Sequence, residues 1–546
     1  MSVLVRGTGP IELSAGGDAA AEAPATTAGR SRWRDLLATL AIAMLMAAPW
    51  LEQRLVPLEW LAVAAGLFWL PRLGGWWGET LVLVAATTAL ATAFHWSPDV
   101  LAGALDSSYG IGLAFTVPFV IWDAVRLSLP FWFVSRTVKD PRNAWLPAAA
   151  VAAASEAFIT SVFPWKLGYS QLAWPVLVQG VDLFGPEWAT FVLYAQAGVL
   201  VLAAHGLLRR GRGTDGPAWT PIGLAAVAVC AANLAYGIWA MQAWGARIEA
   251  APKLRVALLQ VDPSGSEAVG ELQRLTRQAC AEQGGIDLVC WPECSGGSYH
   301  DSLTSFADEE RVFAQSRDPL RGLRPLAEPE CPLLFGGRIY EGYPERPRDI
   351  YQSAILVDRA ERIVGRYHKR HLMPFGEYVP GTDWLPEMRH YFPMDADFSC
   401  GPHATVLPLG EQARLGVMLC YEDMVPSAAA SLVDNAANVL LSLINGSSFK
   451  ATLTLQQHRL LAQMRSVENR RALVRCAATG ETCVISPLGT ITARLPLHEQ
   501  GTLVAEVPLL DAPAPGRRLG QAFPIGCIAG LAIAGLVRLR RRRDTA

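Results

Sequence analysis

A series of long apolar segments fills most of the first half of the chain and constrains its fold more than any other feature. Hydrophobic residues make up 51% of the 546 residues and charged residues only 18%, which is a high apolar share for a soluble protein. Each apolar segment approaches the ~20 residues that an α-helix needs to cross a bilayer. The sequence therefore predicts a seven-span α-helical membrane domain over residues 33–242. The predicted spans lie near residues 35–51, 55–70, 79–95, 110–134, 144–163, 186–207 and 218–242.

An N-terminal tail precedes the first span, and the first apolar run itself has two interpretations. Residues 1–32 are rich in Ala, Gly, Thr and Pro, a composition that predicts a disordered tail. The first apolar run, LLATLAIAMLMAAPW, follows SRWR and could be the apolar part of a signal peptide. Because six more spans follow it, we expect an uncleaved first helix.

Basic residues are concentrated in alternate loops between the predicted spans. Cytoplasmic loops carry an excess of Lys and Arg, so this alternation places the N-terminus inside and residues 243–520 on the external face. A final apolar run, residues 523–537, precedes RLRRRRDTA and predicts an eighth span with a basic cytoplasmic tail, together residues 521–546. The basic groups are Arg30, Arg32 and Arg34; Arg136, Lys139 and Arg142; and Arg209, Arg210 and Arg212.

Residues 243–520 have a different composition, typical of a folded water-exposed domain. Short β-branched runs bounded by Gly, Pro and Asp predict strands. Two longer segments, SEAVGELQRLTRQACAEQG and LTLQQHRLLAQMRSVENRR, have helical patterns. We therefore expect an external α/β sandwich domain. The predicted strands are LRVALLQVD, DLVCWPE, CPLLFGGRIY, QSAILVD, ARLGVMLCYE, NVLLSLI, ALVRCAATG and TCVISPLG.

Polar side chains follow three of the extended segments, where loops can present them to a substrate. DLVCW ends in Pro-Glu293, RIVGRYHKRHLMPFGEYVP contains Lys369 and Glu377, and LGVML ends in Cys420-Tyr421-Glu422. Separately, the cysteine could be a small core residue, the lysine part of a solvated basic run and Glu293 a helix-capping acid. Together they offer a thiolate nucleophile, a carboxylate base and an ammonium for an oxyanion.

The motifs WPE, YHKRHLMPFGEYVP, CYED and MRSVENRRALVRCAATGETCVISPLG resemble the nitrilase-type carbon–nitrogen hydrolase superfamily. Within it, the membrane spans, the FPW…LGYSQ stretch and PFGE are similar to the apolipoprotein N-acyltransferase family. The resemblance implies an α-β-β-α sandwich in the external domain of a multi-pass protein of the cytoplasmic (inner) membrane.

This resemblance also implies a reaction and roles for the site residues. A membrane phospholipid would donate an acyl chain, and the diacylglyceryl-modified N-terminal cysteine of an apolipoprotein would accept it. Cys420 would form a thioester, Glu293 would be the general base and Lys369 the oxyanion-stabilising cation. Glu377, Tyr421 and Glu422 match further active-site positions of the family.

Three segments differ from the family pattern. The loop QVDPSGSEAVG lacks a tryptophan, NGSSFK replaces Asn-Asp-Ala-Trp-Phe-Gly with Phe449 as its only aromatic residue, and APAPGRRLGQ lacks Tyr-x-Arg-x-Gly-Asp. These differences concern the shape of the substrate site and leave the Glu, Lys and Cys set intact.

Eight of the ten cysteines lie within residues 243–520, where an oxidising exterior would permit disulfides, although the sequence does not fix their pairing. The sequence contains no Gly-rich phosphate loop and no paired zinc motif, so we expect no cofactor and no metal. A net charge of −2 without a basic folded surface argues against a nucleic-acid partner. We expect a monomer, although the sequence does not fix the oligomeric state.

Two alternative functions stay open from the sequence. A membrane-tethered amidohydrolase of the nitrilase type would use the same three residues and pass its acyl group to water. A non-catalytic lipid-binding homologue would need no working nucleophile.

Overall fold

The computed structural model describes residues 32–105, 107–212, 219–262, 267–283, 285–306, 330–342, 349–382, 384–387, 397–447 and 452–544. Except for Arg32, which begins the first helix, the predicted disordered tail lies outside these ranges, and so does Phe449.

Among the described residues, nine α-helices precede the first strand. Five of the described helices, four of them in this group, are long and apolar enough to cross a bilayer: α1 (Arg32–Leu51), α5 (Tyr109–Thr137), α8 (Glu187–Arg212), α9 (Pro221–Ala250) and the C-terminal α13 (Arg517–Asp544). The pair α3 and α4 would make a sixth span, bent by 58° at a short break. The helices are α1 (Arg32–Leu51), α2 (Val56–Trp69), α3 (Gly75–Ala93), α4 (Ser97–Ala104), α5 (Tyr109–Thr137), α6 (Trp145–Phe158), α7 (Val181–Phe184), α8 (Glu187–Arg212), α9 (Pro221–Ala250) and, at the end of the chain, α13 (Arg517–Asp544).

Two of the predicted spans form shorter helices than the sequence suggests. The segments 55–70 and 144–163 contain α2 and α6, each of 14 residues. At 1.5 Å per residue such a helix is about 21 Å long, less than the ~30 Å hydrocarbon core. Short 3₁₀ turns extend α2 at both ends, whereas α6 ends at Phe158 because Ile159 already has an extended backbone. The eight-span topology stays a prediction.

All eight predicted strands of the α/β part are present, together with both predicted helices. Short strands whose residues are almost all buried, such as Val439–Ile444, explain the continuous apolar runs in the sequence. The strands are β1 (Lys253–Gln260), β2 (Leu288–Cys290), β3 (Ser298–His300), β4 (Leu333–Glu341), β5 (Asp349–Val357), β6 (Ile363–His368), β7 (Val406–Leu409), β8 (Ala413–Leu419), β9 (Val439–Ile444), β10 (Leu473–Ala477), β11 (Cys483–Ile485), β12 (Ile491–Arg494) and β13 (Gly501–Pro508). The helices are α10 (Ala268–Gln283), α11 (Pro426–Asp434) and α12 (Thr452–Asn469).

The strands form two sheets that pack face to face. One has the order β13-β1-β2-β4-β5-β6, with β3 paired to β4, and the other has the order β12-β11-β10-β9-β8-β7. Leu258 and Leu334 of the first sheet share an apolar core with Val417 and Leu441 of the second. Helix α10 covers the outer face of the first sheet through Leu272. With α11 and α12 beside the second sheet, this confirms the predicted α-β-β-α sandwich.

Helix α12 joins the sandwich to the membrane helices. Leu461 and Met464 belong to the same apolar core as Trp165 of the helical part. Beside them, the Gln457 side-chain amide donates to the carbonyl oxygens of Trp50 and Ala93, both at 2.9 Å. These carbonyls lie at the C-terminal ends of α1 and α3, where helix carbonyls lack partners within the helix. The sandwich is therefore held against the membrane helices by apolar packing and by buried hydrogen bonds.

A buried ion pair and a disulfide also connect elements of the fold. Arg470, which follows α12, pairs with Asp182 of α7 at 2.6 Å, and both side chains are fully buried. Cys280 of α10 and Cys331, just before β4, form a disulfide. The bond fits the oxidising compartment expected for this domain.

Candidate active site

Three of the predicted site residues come together just past the ends of strands. Glu293 follows β2, Lys369 follows β6 directly, and Cys420 begins a 3₁₀ turn (Cys420–Met424) directly after β8. All three line one cavity. Close packing of β4 against the Glu293 loop requires Gly336, because a Cβ atom at that position would lie 2.7 Å from the Glu293 Cα.

Lys369 is buried between two carboxylates. Its Nζ atom lies 2.7 Å from Glu377 Oε1 and 3.4 Å from Glu293 Oε1, and the side chain is 1% exposed. Burial acts to lower the pKa of Lys369, but attraction to Glu377 and Glu293 outweighs it and holds the pKa well above its ordinary value. The lysine is therefore a fixed positive charge beside Cys420.

The backbone at Cys420 has a φ angle of 46°, in the left-handed region that non-glycine residues rarely adopt. Such strained positions are concentrated at active sites, where surrounding contacts hold them. Burial raises the pKa of the Cys420 thiol well above its ordinary value, and the negative charge of Glu293 adds to this effect. The resting thiol therefore holds its proton and needs a base to become a nucleophile.

Glu293 is suited to exchange that proton. Its Oε2 atom accepts a hydrogen bond from the Asn445 backbone N–H at 3.1 Å, just past the end of β9. Burial raises the pKa of Glu293, Lys369 opposes the increase, and Glu377 adds to it. A carboxyl group with a raised pKa is a stronger base than an ordinary carboxylate, which helps it to accept a proton and later return it.

Glu377 and Tyr421 also line the cavity, but their contacts differ. The Oε2 atom of Glu377 accepts the Met373 backbone N–H at 2.7 Å, which fixes the carboxylate that holds Lys369. The Tyr421 hydroxyl donates to the Val162 carbonyl at 2.6 Å, a direct bond from the nucleophile turn to the helical part.

Glu422 is fully buried and lies outside the residues that line the cavity. Its carboxylate accepts four hydrogen bonds at 2.8 to 3.0 Å. The donors are the Tyr367 hydroxyl and the backbone N–H groups of Arg370, His371 and Leu419. Glu422 thereby ties the segment after Lys369 to the strand end before Cys420.

A buried charged network behind Cys420 was not predicted from the sequence. Asp423 Oδ1 lies 2.7 Å from His458 Nε2 of α12, and its Oδ2 accepts from Arg475 Nε at 3.0 Å and from the Ser442 hydroxyl at 2.9 Å. The only sequence signal is an acidic residue within CYED, directly after the predicted Glu422.

The cavity has a volume of about 420 Å³ and extends from Glu293, Lys369 and Cys420 to the membrane helices. Phe94 and Phe119 are among its apolar lining on the helical side. Asp123 of α5 also lines it and pairs with Arg126 at 3.2 Å. One end of the cavity thus suits a hydrocarbon chain and the other end suits polar chemistry.

The chain is similar to a family model, to named relatives and to a solved structure. A family model described as carbon–nitrogen hydrolase matches residues 255–513. The chain is 31% identical over 398 residues to the apolipoprotein N-acyltransferase of Geobacter metallireducens, covering 71% of this chain and 72% of that relative. It is 30% identical over 448 residues to the enzyme of the same name from Azotobacter vinelandii, covering 79% and 80%. The solved structure of Saccharomyces cerevisiae Nit3, of the nitrilase superfamily, is 22% identical, covers 47% of this chain and 90% of that chain, and has a TM-score of 0.34.

The sandwich and the family match define the second half of the chain as a carbon–nitrogen hydrolase domain. Similarity to the curated relatives continues into the helical part. The chain belongs to the apolipoprotein N-acyltransferase family.

Proposed function

We propose that the protein transfers an acyl chain from a membrane phospholipid to the α-amino group of the diacylglyceryl-modified N-terminal cysteine of lipoproteins. The acyl chain would be held as a thioester on Cys420. Lipoprotein N-acylation is the activity named for the relatives. The observation that carries the proposal for this chain is the single cavity lined by Glu293, Lys369 and Cys420 together with apolar membrane helices.

In the first step, Glu293 takes the proton of the Cys420 thiol and the sulfur attacks the ester carbonyl carbon of the phospholipid. A carbon–sulfur bond forms, and the carbonyl oxygen becomes an oxyanion. When this intermediate collapses, the carbon–oxygen ester bond breaks and the lysophospholipid oxygen receives the proton from Glu293. The product is an acyl thioester on Cys420.

In the second step, the lipoprotein amine attacks the thioester carbonyl. A carbon–nitrogen bond forms, Glu293 accepts a proton from the attacking amine, and the carbon–sulfur bond breaks. The departing sulfur regains the proton and restores the thiol. The sum of the two steps is one acyl transfer without a cofactor.

Lys369 supplies the positive charge for both tetrahedral intermediates. A fixed ammonium at a buried site stabilises a developing oxyanion without reorganising when the reaction occurs. Glu377, at 2.7 Å, keeps the ammonium in position.

The proposed reaction places the protein in the inner membrane with residues 243–520 on the outer face. Several apolar helices and the family membership fit an inner-membrane protein. The alternating basic loops support this orientation.

Intact-protein mass spectrometry of enzyme purified from membranes tests the proposal. We expect a long-chain acyl adduct that neutral hydroxylamine removes and that a diacylglyceryl-cysteinyl peptide discharges as an N-acylated product. Cys420→Ala should lack the adduct, whereas Cys400→Ala should keep it, because Cys400 is an exposed cysteine outside the cavity. If the peptide leaves the adduct untouched while free fatty acid accumulates, the protein is a hydrolase.

A further inference from the structure

A second cationic side chain stands at the polar end of the cavity. Arg338 lies on β4, is half-buried and lines the same cavity as Cys420. Its partner in the sheet register is Gln352 of β5, which also lines the cavity and is 6% exposed. The proposed mechanism assigns no role to either residue.

The charges around the cavity show why this cation matters. The described lining includes three carboxylates, those of Asp123, Glu293 and Glu377, and two cations, those of Lys369 and Arg338. Lys369 contacts two of the carboxylates. An anionic ligand that entered this end would be repelled by the carboxylates and attracted by both cations.

The planar guanidinium group of Arg338 is suited to bind a phosphate. Its guanidinium lies over the Phe398 ring, 5.4 Å from the ring centroid. The N–H donors of a guanidinium lie in the plane of the group. This planar fork matches two oxygens of a phosphate.

We infer that Arg338 binds the phosphodiester of the phospholipid acyl donor and orients its ester carbonyl toward Cys420. This inference rests on the proposed function. In a glycerophospholipid only a few bonds separate the phosphate from the ester that reacts. When the ester carbonyl of the phospholipid lies at Cys420, its acyl chain can lie among the membrane helices. The phosphate then lies at the polar end of the cavity, which Arg338 lines. Gln352 adds amide hydrogen-bonding groups beside it.

Two acyl donors distinguish this role from a structural one. Phosphatidylglycerol carries the phosphodiester, whereas p-nitrophenyl palmitate offers a reactive ester without phosphate. The rate of acyl adduct formation on Cys420 is measured with each donor for wild type, Arg338→Met and Arg338→Lys. Arg362→Met is the matched control, because Arg362 pairs with Asp358 in an exposed position outside the cavity.

Arg338→Met should slow adduct formation from phosphatidylglycerol by roughly tenfold to hundredfold, the usual effect of losing a charged hydrogen bond. The same variant should react with p-nitrophenyl palmitate within about twofold of wild type, because that donor never used the lost contact. With phosphatidylglycerol, Arg338→Lys should form the adduct at a rate between those of wild type and Arg338→Met, since lysine keeps the charge but lacks the planar pair of N–H donors. Arg362→Met should match wild type with both donors.

Other outcomes overturn the inference. An equal loss with both donors would mean that Arg338 only supports the fold, and an unchanged rate with phosphatidylglycerol would mean that it does not bind the donor. A slower discharge of preformed adduct by a diacylglyceryl-cysteinyl peptide would assign Arg338 to the acceptor instead. Absence of any adduct in wild type with both donors would contradict the proposed function and this inference with it.

Discussion

At the scale of single residues, the role proposed for Lys369 can be tested because two carboxylates enclose its ammonium group closely. Lys369 is enclosed by Glu293 and Glu377, with its Nζ atom 3.4 and 2.7 Å from their oxygens. An ammonium is a compact point charge, whereas a guanidinium is a wide planar group. Arginine would keep the charge but move its centre away from the developing oxyanion.

Lys369→Arg should therefore reduce adduct formation by about a hundredfold to a thousandfold, the range measured when one oxyanion donor is removed. Intact-protein mass spectrometry over time gives the rate, and Arg359→Lys, away from the cavity, is a control for the same pair of residue types. A wild-type rate in the arginine variant would show that Lys369 contributes only to the general basic character of RYHKRH.

We propose that Glu422 positions the segments around it and does not contact the substrate, because it accepts four hydrogen bonds and lies outside the cavity lining. In Glu422→Gln, an amide NH₂ replaces one acceptor oxygen, so at least one of the four donors loses its partner inside the protein. We expect a loss of about 2 kcal/mol of stability, typical of one buried unsatisfied group. Thermal unfolding in detergent should show a lower midpoint. An unchanged midpoint would contradict this positioning role.

At the scale of elements, eight of the thirteen described strands and the three strand-end residues could be predicted because they are local signals. Each strand is a short apolar run bounded by turn residues, and Glu293 and Cys420 each follow one directly or within a few residues. The Asp423 network could not be predicted in this way, because His458 and Arg475 are 35 and 52 residues away from it along the chain. The bend between α3 and α4 also depends on tertiary contacts, including the Trp96 indole N–H that donates to Gln457 at 3.0 Å.

The Asp423 network predicts a specific dependence of stability on pH. Burial acts to raise the pKa of Asp423, but charge attraction to His458 and Arg475 lowers it from 3.8 to about 2. A carboxyl group with a lowered pKa stabilises the folded state above its unfolded pKa, and this stabilisation is lost as the pH falls through the folded pKa. Wild type should therefore exceed Asp423→Asn in stability by about 2 kcal/mol near neutral pH.

This difference should diminish as the pH falls from about 4 to about 2. Thermal unfolding of both proteins across that range measures it, with Asp434→Asn as a control for an acid outside the network. A difference that stays constant down to pH 2 would show that the Asp423 charge does not contribute to folding.

At the scale of the whole molecule, side chains of the sandwich belong to the apolar core of the membrane helices, so the orientation of one half fixes the orientation of the other. Tyr421, Leu461 and Met464 pack with the membrane helices, and the Arg470–Asp182 pair is buried between α12 and α7. Cys420 must then lie at the same side of the membrane as the C-terminal end of α9.

The predicted orientation has a direct test with reporter fusions. A reporter active only outside the cytoplasm should be active when fused after Ala250, at the end of α9, and a green fluorescent reporter that matures only in the cytoplasm should fluoresce at the C-terminus. The reverse pattern would place Cys420 on the cytoplasmic face and remove the basis for lipoprotein acylation.

The left-handed backbone conformation of Cys420 should lower the stability of the folded protein at the position of the proposed nucleophile. Any side chain there costs roughly 1–2 kcal/mol that glycine does not. Alanine normally stabilises a chain more than glycine, but at this position the order should invert, so that Cys420→Gly melts at a higher temperature than Cys420→Ala while neither variant forms an adduct. If Cys420→Ala instead melts at a higher temperature than Cys420→Gly, the backbone of this turn is not strained. An inverted order would mean that the backbone conformation at Cys420 costs the folded protein stability.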